Sequence, residues 1–153
     1  MKKERLLIVT GGNRGIGRQI ALSALDAGWK VAISYSFSQK LASDMEMASN
    51  GRIKAFPLDV TNSNSIGDFF KEIVKEMGPA DALVTAAGID NGQRSVAELD
   101  HEFVMSTMEV NVVGLILCCQ EFAKQAIDTG RPGIIVNLSS MAATIGGRMH
   151  KTV

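Results

Sequence analysis

The sequence predicts an α/β fold, a doubly wound parallel sheet of about five strands, on three observations. Short apolar runs alternate with segments of about ten or more residues whose apolar positions recur at helical spacing, the pattern of right-handed β-α-β units. The first apolar run enters the first such segment through Thr10-Gly11-Gly12-Asn13-Arg14-Gly15-Ile16-Gly17, a glycine turn between a strand and a helix. The chain has 153 residues, 46% of them hydrophobic, enough for a single domain with a real core.

The first strand is Leu6-Leu7-Ile8-Val9. Glycines in the turn behind it accept positive φ and let a ligand approach the backbone. The first turn of the next helix adds unpaired N–H groups at the positive end of its dipole. Together these predict a pyrophosphate seat. The spacing is Gly-x-x-x-Gly-x-Gly, unlike the Gly-x-Gly-x-x-Gly of the usual dinucleotide fingerprint, so the expectation rests on mechanism; the eight residues alone also fit a plain connection.

Ile16, Ile20, Ala24 and Ala27 mark the first helix, ended by Gly28, and residues 30–35 are a short buried strand. Leu41, Ala42, Met45 and Ala48 form a second helical stripe before Asn50-Gly51, and residues 52–56 alternate as a third strand that stops at Pro57. Residues 62–65 offer helix N-caps, after which Ile66, Phe69, Phe70, Ile73, Val74 and Met77 trace one helix face. Gly78-Pro79 ends it, residues 81–84 are the fourth strand, and residues 89–97 read as a loop. A long helix runs over about residues 99–127, apolar on nearly every face between 110 and 119, and so requires cover on both sides. Arg131-Pro132-Gly133 turns the chain into a fifth strand, residues 134–138. In such a sheet ligands sit beyond the carboxyl ends of the strands, which sets residues 10–17, Tyr35, Asp59, 85–88 and Ser139-Ser140 along one rim.

Sixteen basic residues balance sixteen acidic ones, leaving neither a basic field for nucleic acid nor a polybasic patch for a membrane. Cys118 and Cys119 sit in an apolar segment as small buried hydrophobes, which suits a reducing compartment. The four-residue apolar run after the basic N-terminus is too short for a signal or a membrane span. A cytoplasmic location is expected. His101 and His150 are isolated, and no metal site is expected.

These residues, in this order and spacing, make the chain resemble the N-terminal part of a short-chain dehydrogenase/reductase, of the 3-oxoacyl-carrier-protein reductase or glucose dehydrogenase kind. The resemblance rests on the glycine turn, Asp59-Val60, Ala86-Ala87-Gly88 in place of the family's Asn-Asn-Ala-Gly, Asn111 in the long helix, and Val136-Asn137-Leu138-Ser139-Ser140. It implies a Rossmann-like domain over residues 1–153 with strand order 3-2-1-4-5, truncated at the C-terminus before the family's last strands and helices. It further implies that Gly11, Asn13, Arg14, Gly15, Ile16 and Gly17 bind the cofactor with Tyr35 and Ser36, that Asp59 and Val60 bracket its adenine, and that Ala86, Ala87 and Gly88 pass along its ribose. Asn111 is implied as the catalytic asparagine that holds a relay water by kinking its helix, and Ser140 as the substrate-binding serine. Replacement of both family asparagines by Thr85 and Ala86 implies that side-chain ties at the end of the fourth strand are partly lost. The family's Tyr-x-x-x-Lys would begin at Val153 or the first position beyond it. A homo-oligomer through the helix at 100–127 is implied as well.

The second strand ends without the carboxylate that binds the ribose 2′-hydroxyl in NAD enzymes, and Arg14 is placed to meet a 2′-phosphate, so NADP is expected over NAD. Two functions fit: an NADP-dependent oxidoreductase acting on a small-molecule carbonyl or alcohol, and a non-catalytic dinucleotide-binding module or pseudoenzyme.

Overall fold

The computed structural model describes residues 4–92, 94–141 and 144; His150 and the chain end at Val153 lie outside the described residues. Strands β1 (Leu6–Thr10), β2 (Lys30–Tyr35), β3 (Ile53–Pro57), β4 (Ala82–Thr85) and β5 (Ile134–Asn137) form one parallel sheet in the order β3-β2-β1-β4-β5. Ile8 stands in register with Ala32 of β2 on one side and Leu83 of β4 on the other, so the strand order reverses at β1 and β4. The connections are helices α1 (Gly15–Asp26), α2 (Gln39–Ala48), α3 (Ser63–Met77), α4 (His101–Met108) and α5 (Gly114–Thr129).

Because successive strand side chains point to opposite faces, one sheet buries two cores. Leu6, Ile8, Ala32 and Leu83 pack with Ile66, Phe69, Phe70 and Ile73 of α3 and Cys118 and Phe122 of α5. Leu7, Val9, Val31, Ile33 and Val84 pack with Ala21 of α1 and Ala42 and Met45 of α2. Asn62 caps α3, its Oδ1 accepting from the Asn64 and Ser65 N–H groups. Burial pushes the Cys118 thiol up to about 12 and also raises that of Cys119, so both free thiols are protonated near neutral pH.

Helix faces depart from the sequence pattern in three places. On α1 the buried residues are Gly17 and Ala21, whereas Ile16 is 67% exposed. Gly17 lies against the backbone of Gly11, where a Cβ cannot fit, and that contact rotates the helix and turns Ile16 toward solvent. On α2 the buried pair is Ala42 and Met45, with Leu41 exposed. On α3 Ile66, Phe69, Phe70 and Ile73 are buried, while Val74 lies at the margin of the face and is exposed. The segment expected as loop contains one 3₁₀ turn, Val96–Glu98, closed by reciprocal bonds between Ser95 and Glu98.

The long helix is interrupted by a five-residue π-helical turn, Glu109–Val113, between α4 and α5. From α5, Gly114, Cys118 and Phe122 face the sheet. Met105, Met108, Val112 and Ile116 form an exposed apolar stripe on the same helical run, and Ile134, Ile135 and Val136 of β5 are exposed too. The whole span, His101–Thr129, is 29 residues long and apolar enough to cross a membrane by length and composition.

Candidate functional site

The carboxyl ends of β1, β2, β3 and β4 open into a cleft of about 1070 Å³. Its wall includes Gly11, Asn13, Arg14, Gly15, Ile16, Gly17, Tyr35, Ser36, Asp59, Val60, Ala86, Ala87 and Gly88, every cleft residue singled out from the sequence. They converge there because β1 and β4 are neighbours at the point of strand reversal, and loops leaving such strands in opposite directions leave a crevice between them.

The glycine turn is built against its surroundings without room for side chains. Gly11 has φ 63°, and a Cβ there would stand 2.9 Å from the Ala87 Cα; a Cβ on Gly12 would stand 2.7 Å from that of Ile33. The Gly11 N–H donates to Ser34 Oγ (2.9 Å) and the Gly12 N–H to the Ser34 carbonyl (3.0 Å), which fastens the turn to β2. Helix α1 then starts with Arg14 in extended backbone as its N-cap, with no side-chain cap and no acidic residue in its first turn. Unpaired N–H groups at a dipole's positive end, facing a cleft and walled by glycine, are a site for an anion. Arg14 is the one cationic side chain on the cleft wall among the described residues, whereas Asp59, Asp68 and Glu72 are acidic.

The end of β4, where Thr85 and Ala86 stand, is held by two threonine hydroxyls. Thr10 Oγ1 accepts from the Ala86 and Ala87 N–H groups at 3.0 and 3.1 Å, and Thr85 Oγ1 donates to Asn137 Oδ1 at 2.8 Å. The sequence held one signal for this, threonine at the carboxyl end of two adjacent strands, but only their pairing shows which groups meet.

Asp59 shapes the turn after β3: its Oδ1 accepts from the Thr61 N–H (2.9 Å) and hydroxyl (2.7 Å), and its own N–H donates to Ser65 Oγ (3.0 Å). Asn111 lies at the centre of the π turn and is clamped to one residue, its Oδ1 accepting from the Ile89 N–H (2.8 Å) and its Nδ2 donating to the Ile89 carbonyl (3.0 Å). That pairing fixes residues 88–89 beside the helix. Ser140 is exposed, three residues beyond the end of β5. Neither Asn111 nor Ser140 belongs to the cleft wall. Sequence reasoning passed over Ser34 and the cleft-lining, exposed Phe37, because a buried strand serine or a loop phenylalanine carries no local signal of what it touches.

A family model described as short chain dehydrogenase matches residues 5–151. Among curated proteins, the chain is 36% identical over 146 residues to the uncharacterized oxidoreductase YgfF of Escherichia coli, covering 92% of this chain and 59% of that protein. It is 34% identical over 152 residues to the 3-oxoacyl-[acyl-carrier-protein] reductase FabG of Staphylococcus aureus, covering 95% of this chain and 60% of that protein. Among solved structures, ElxO with NADP bound superposes with a TM-score of 0.87 at 27% identity, covering 97% of this chain and 60% of that one. A short-chain dehydrogenase from Streptomyces avermitilis superposes with a TM-score of 0.86 at 26% identity, covering 95% and 52%. The chain spans about three fifths of the length of the curated relatives it matches.

Proposed function

Since this chain belongs to the short-chain dehydrogenase family, we propose that it is the cofactor-binding part of an NADP-dependent oxidoreductase acting on a small-molecule carbonyl or secondary alcohol. The observation that supports this most directly is the uncapped, glycine-walled start of α1 inside the cleft at the strand reversal. A dinucleotide fits that setting: the glycine backbone leaves space for a pyrophosphate, and the acidic rim at Asp59 suits the amino edge of an adenine. When bound, the cofactor supplies the hydride.

In this reading Gly11, Gly15, Ile16 and Gly17 present backbone N–H groups to phosphate, with Asn13 and Arg14 beside them. Asp59 and Val60 bracket the adenine, and residues 86–88 pass along the ribose. Asn111, its amide held on Ile89, keeps its helix in the π turn, where the loosened i→i−4 ladder leaves a carbonyl able to hold a relay water. Ser140 orients the substrate carbonyl. A cytoplasmic location, with both thiols reduced, belongs to the same reading, as does the lack of a nucleic-acid or membrane partner.

NADPH is expected to bind more tightly than NADH. Arg14 is the cleft's cation, and β2 ends in Tyr35-Ser36 without a carboxylate. A charge-assisted contact to the 2′-phosphate predicts a preference of about 10- to 100-fold. Titration of both cofactors by fluorescence or calorimetry measures it. Arg14→Ala should erase the difference and Tyr35→Asp should reverse it; equal affinities in the unsubstituted chain contradict NADP selectivity.

The stripe of Met105, Met108, Val112 and Ile116 supports a second copy of the chain as its cover. Glu109, Glu121 and Lys124 flank the same span, and its inner side is already committed to the sheet through Gly114, Cys118 and Phe122. Light scattering should report a dimer or larger assembly, weakened by Ile116→Asp; a clean, cooperatively folding monomer contradicts the oligomer.

A further inference from the structure

Asn13 is a polar side chain held in a nearly closed environment: it is 3% exposed, although it stands in a turn of glycines on the cleft wall. Its Nδ2 donates to the Phe37 carbonyl at 2.9 Å and, at longer range, to the Ser38 carbonyl at 3.4 Å. The segment so held is unusual. Ser38 has φ 60° and ψ 53°, a left-handed conformation that costs a non-glycine residue energy and persists only where surroundings impose it. Ser38 is also the residue from which α2 starts, with no side-chain cap and no acidic residue in the first turn. Directly before it, Ser36 and Phe37 line the cleft, and Arg14, the neighbour of Asn13, lines it too. One buried amide therefore connects the glycine turn to the segment at the end of β2, where a dinucleotide's ribose 2′ substituent is read.

We infer that Asn13 is a positioning residue for the 2′-phosphate: its amide holds residues 36–38 in the left-handed bend that sets Ser36 and the start of α2 on the same cleft wall as Arg14. The inference rests on the dinucleotide reading above. Asn13 acts through the backbone it holds and not as the principal phosphate ligand, because its donor is already spent on Phe37 and Ser38. Without that amide the bend is populated only part of the time, and a ligand that requires it binds more weakly by that fraction. NADH lacks the 2′-phosphate and depends less on the bend.

The test is titration of the full 153-residue chain with NADPH, NADH and 2′,5′-ADP, for the unsubstituted protein, Asn13→Ala and Ser38→Pro, each first checked for folding by circular dichroism. Loss of the hydrogen bond should weaken NADPH and 2′,5′-ADP by roughly three- to tenfold and weaken NADH by a smaller factor. Ser38→Pro, which forces φ to negative values at an exposed position while the Asn13 side chain is retained, should reproduce the selective loss. Equal losses for NADPH and NADH in a folded Asn13→Ala, or undiminished NADPH binding in both variants, overturn the positioning role while leaving the dinucleotide reading intact. Absence of binding by any of the three ligands to the unsubstituted chain overturns both.

Discussion

Mixed with NADPH and a panel of ketones and β-ketoacyl thioesters, the 153-residue polypeptide is expected to bind the cofactor and leave it unoxidised. Carbonyl reduction needs a proton at the forming alkoxide, and general acid catalysis contributes on the order of 10²–10⁴ in rate. Ser140 can orient a carbonyl, but an aliphatic hydroxyl is far too weak an acid to supply that proton. Tyr35 is the single tyrosine in the sequence, and it ends β2, whereas Ser140 follows β5. Three interstrand steps separate those strands, about 14 Å of sheet. Asn111 has its amide engaged with Ile89 on both ends. Steady-state assays give the result directly. Turnover comparable to a full-length relative, lost on Ser140→Ala, would show that a residue within these 153 is the proton donor. Activity gained on extending the chain through a Tyr-x-x-x-Lys segment would instead assign binding and proton donation to different parts of the sequence.

Gly17→Ala should produce the largest single-residue loss of cofactor binding. A Cβ at this position collides with the Gly11 carbonyl oxygen and stands 3.0 Å from the Gly11 carbonyl carbon and 3.3 Å from the Ala86 Cβ. Two of those atoms are backbone of the very turn that frames the anion site, so relief requires the turn or α1 to move. Overpacking of this kind costs about 1–3 kcal/mol in stability, and a comparable loss at the site amounts to roughly five- to 150-fold in affinity. Gly15→Ala provides the contrast: Gly15 has φ 53° but nothing within 4 Å of its Cβ position, so its penalty is conformational, about 1–2 kcal/mol. Thermal melts and NADPH titrations of the two variants rank them. Gly17→Ala with parent-like binding, or a greater affinity loss in Gly15→Ala than in Gly17→Ala, contradicts the close-packed turn.

The five strands, the glycine turn and α3 were legible along the chain because each rests on local chemistry. Leu6 to Val9 and residues 30–35 are short apolar runs bounded by turn residues. The repeat from Ile66 to Phe70 and Ile73 is helical, and Gly28 with φ 87° stands after α1 where a left-handed residue is needed. Parallel pairing followed from the alternation of strands with helices, with no knowledge of any contact, whereas the order of the strands was implied by the family resemblance. Convergence of residues 11–17, 35–36, 59–60 and 86–88 on one cleft follows from that topology, since all four segments leave the carboxyl ends of neighbouring strands.

Other features depend on atoms far apart in the chain and have no local signature. The buried face of α1 is Gly17 and Ala21 because Gly17 must rest on Gly11, and hydropathy alone favours Ile16 for that place. Thr10 and Thr85 hold the end of β4 only because register brings Thr10 beside Thr85, and Thr85 beside Asn137. The π turn of residues 109–113 is accompanied by the clamp of Asn111 on Ile89, a pairing across 22 residues. Asn13 reads in sequence as one polar residue among glycines, yet its amide crosses 24 residues to Phe37. Periodicity and turn chemistry report what a residue does to its own stretch of backbone, so local chemistry determined the strands, the helices between them and the rim on which the cleft opens. Which polar group satisfies which partner, and which helix face turns inward, was decided only when the sheet brought distant segments together, because a buried hydrogen bond or a missing Cβ has meaning only against the atoms it meets.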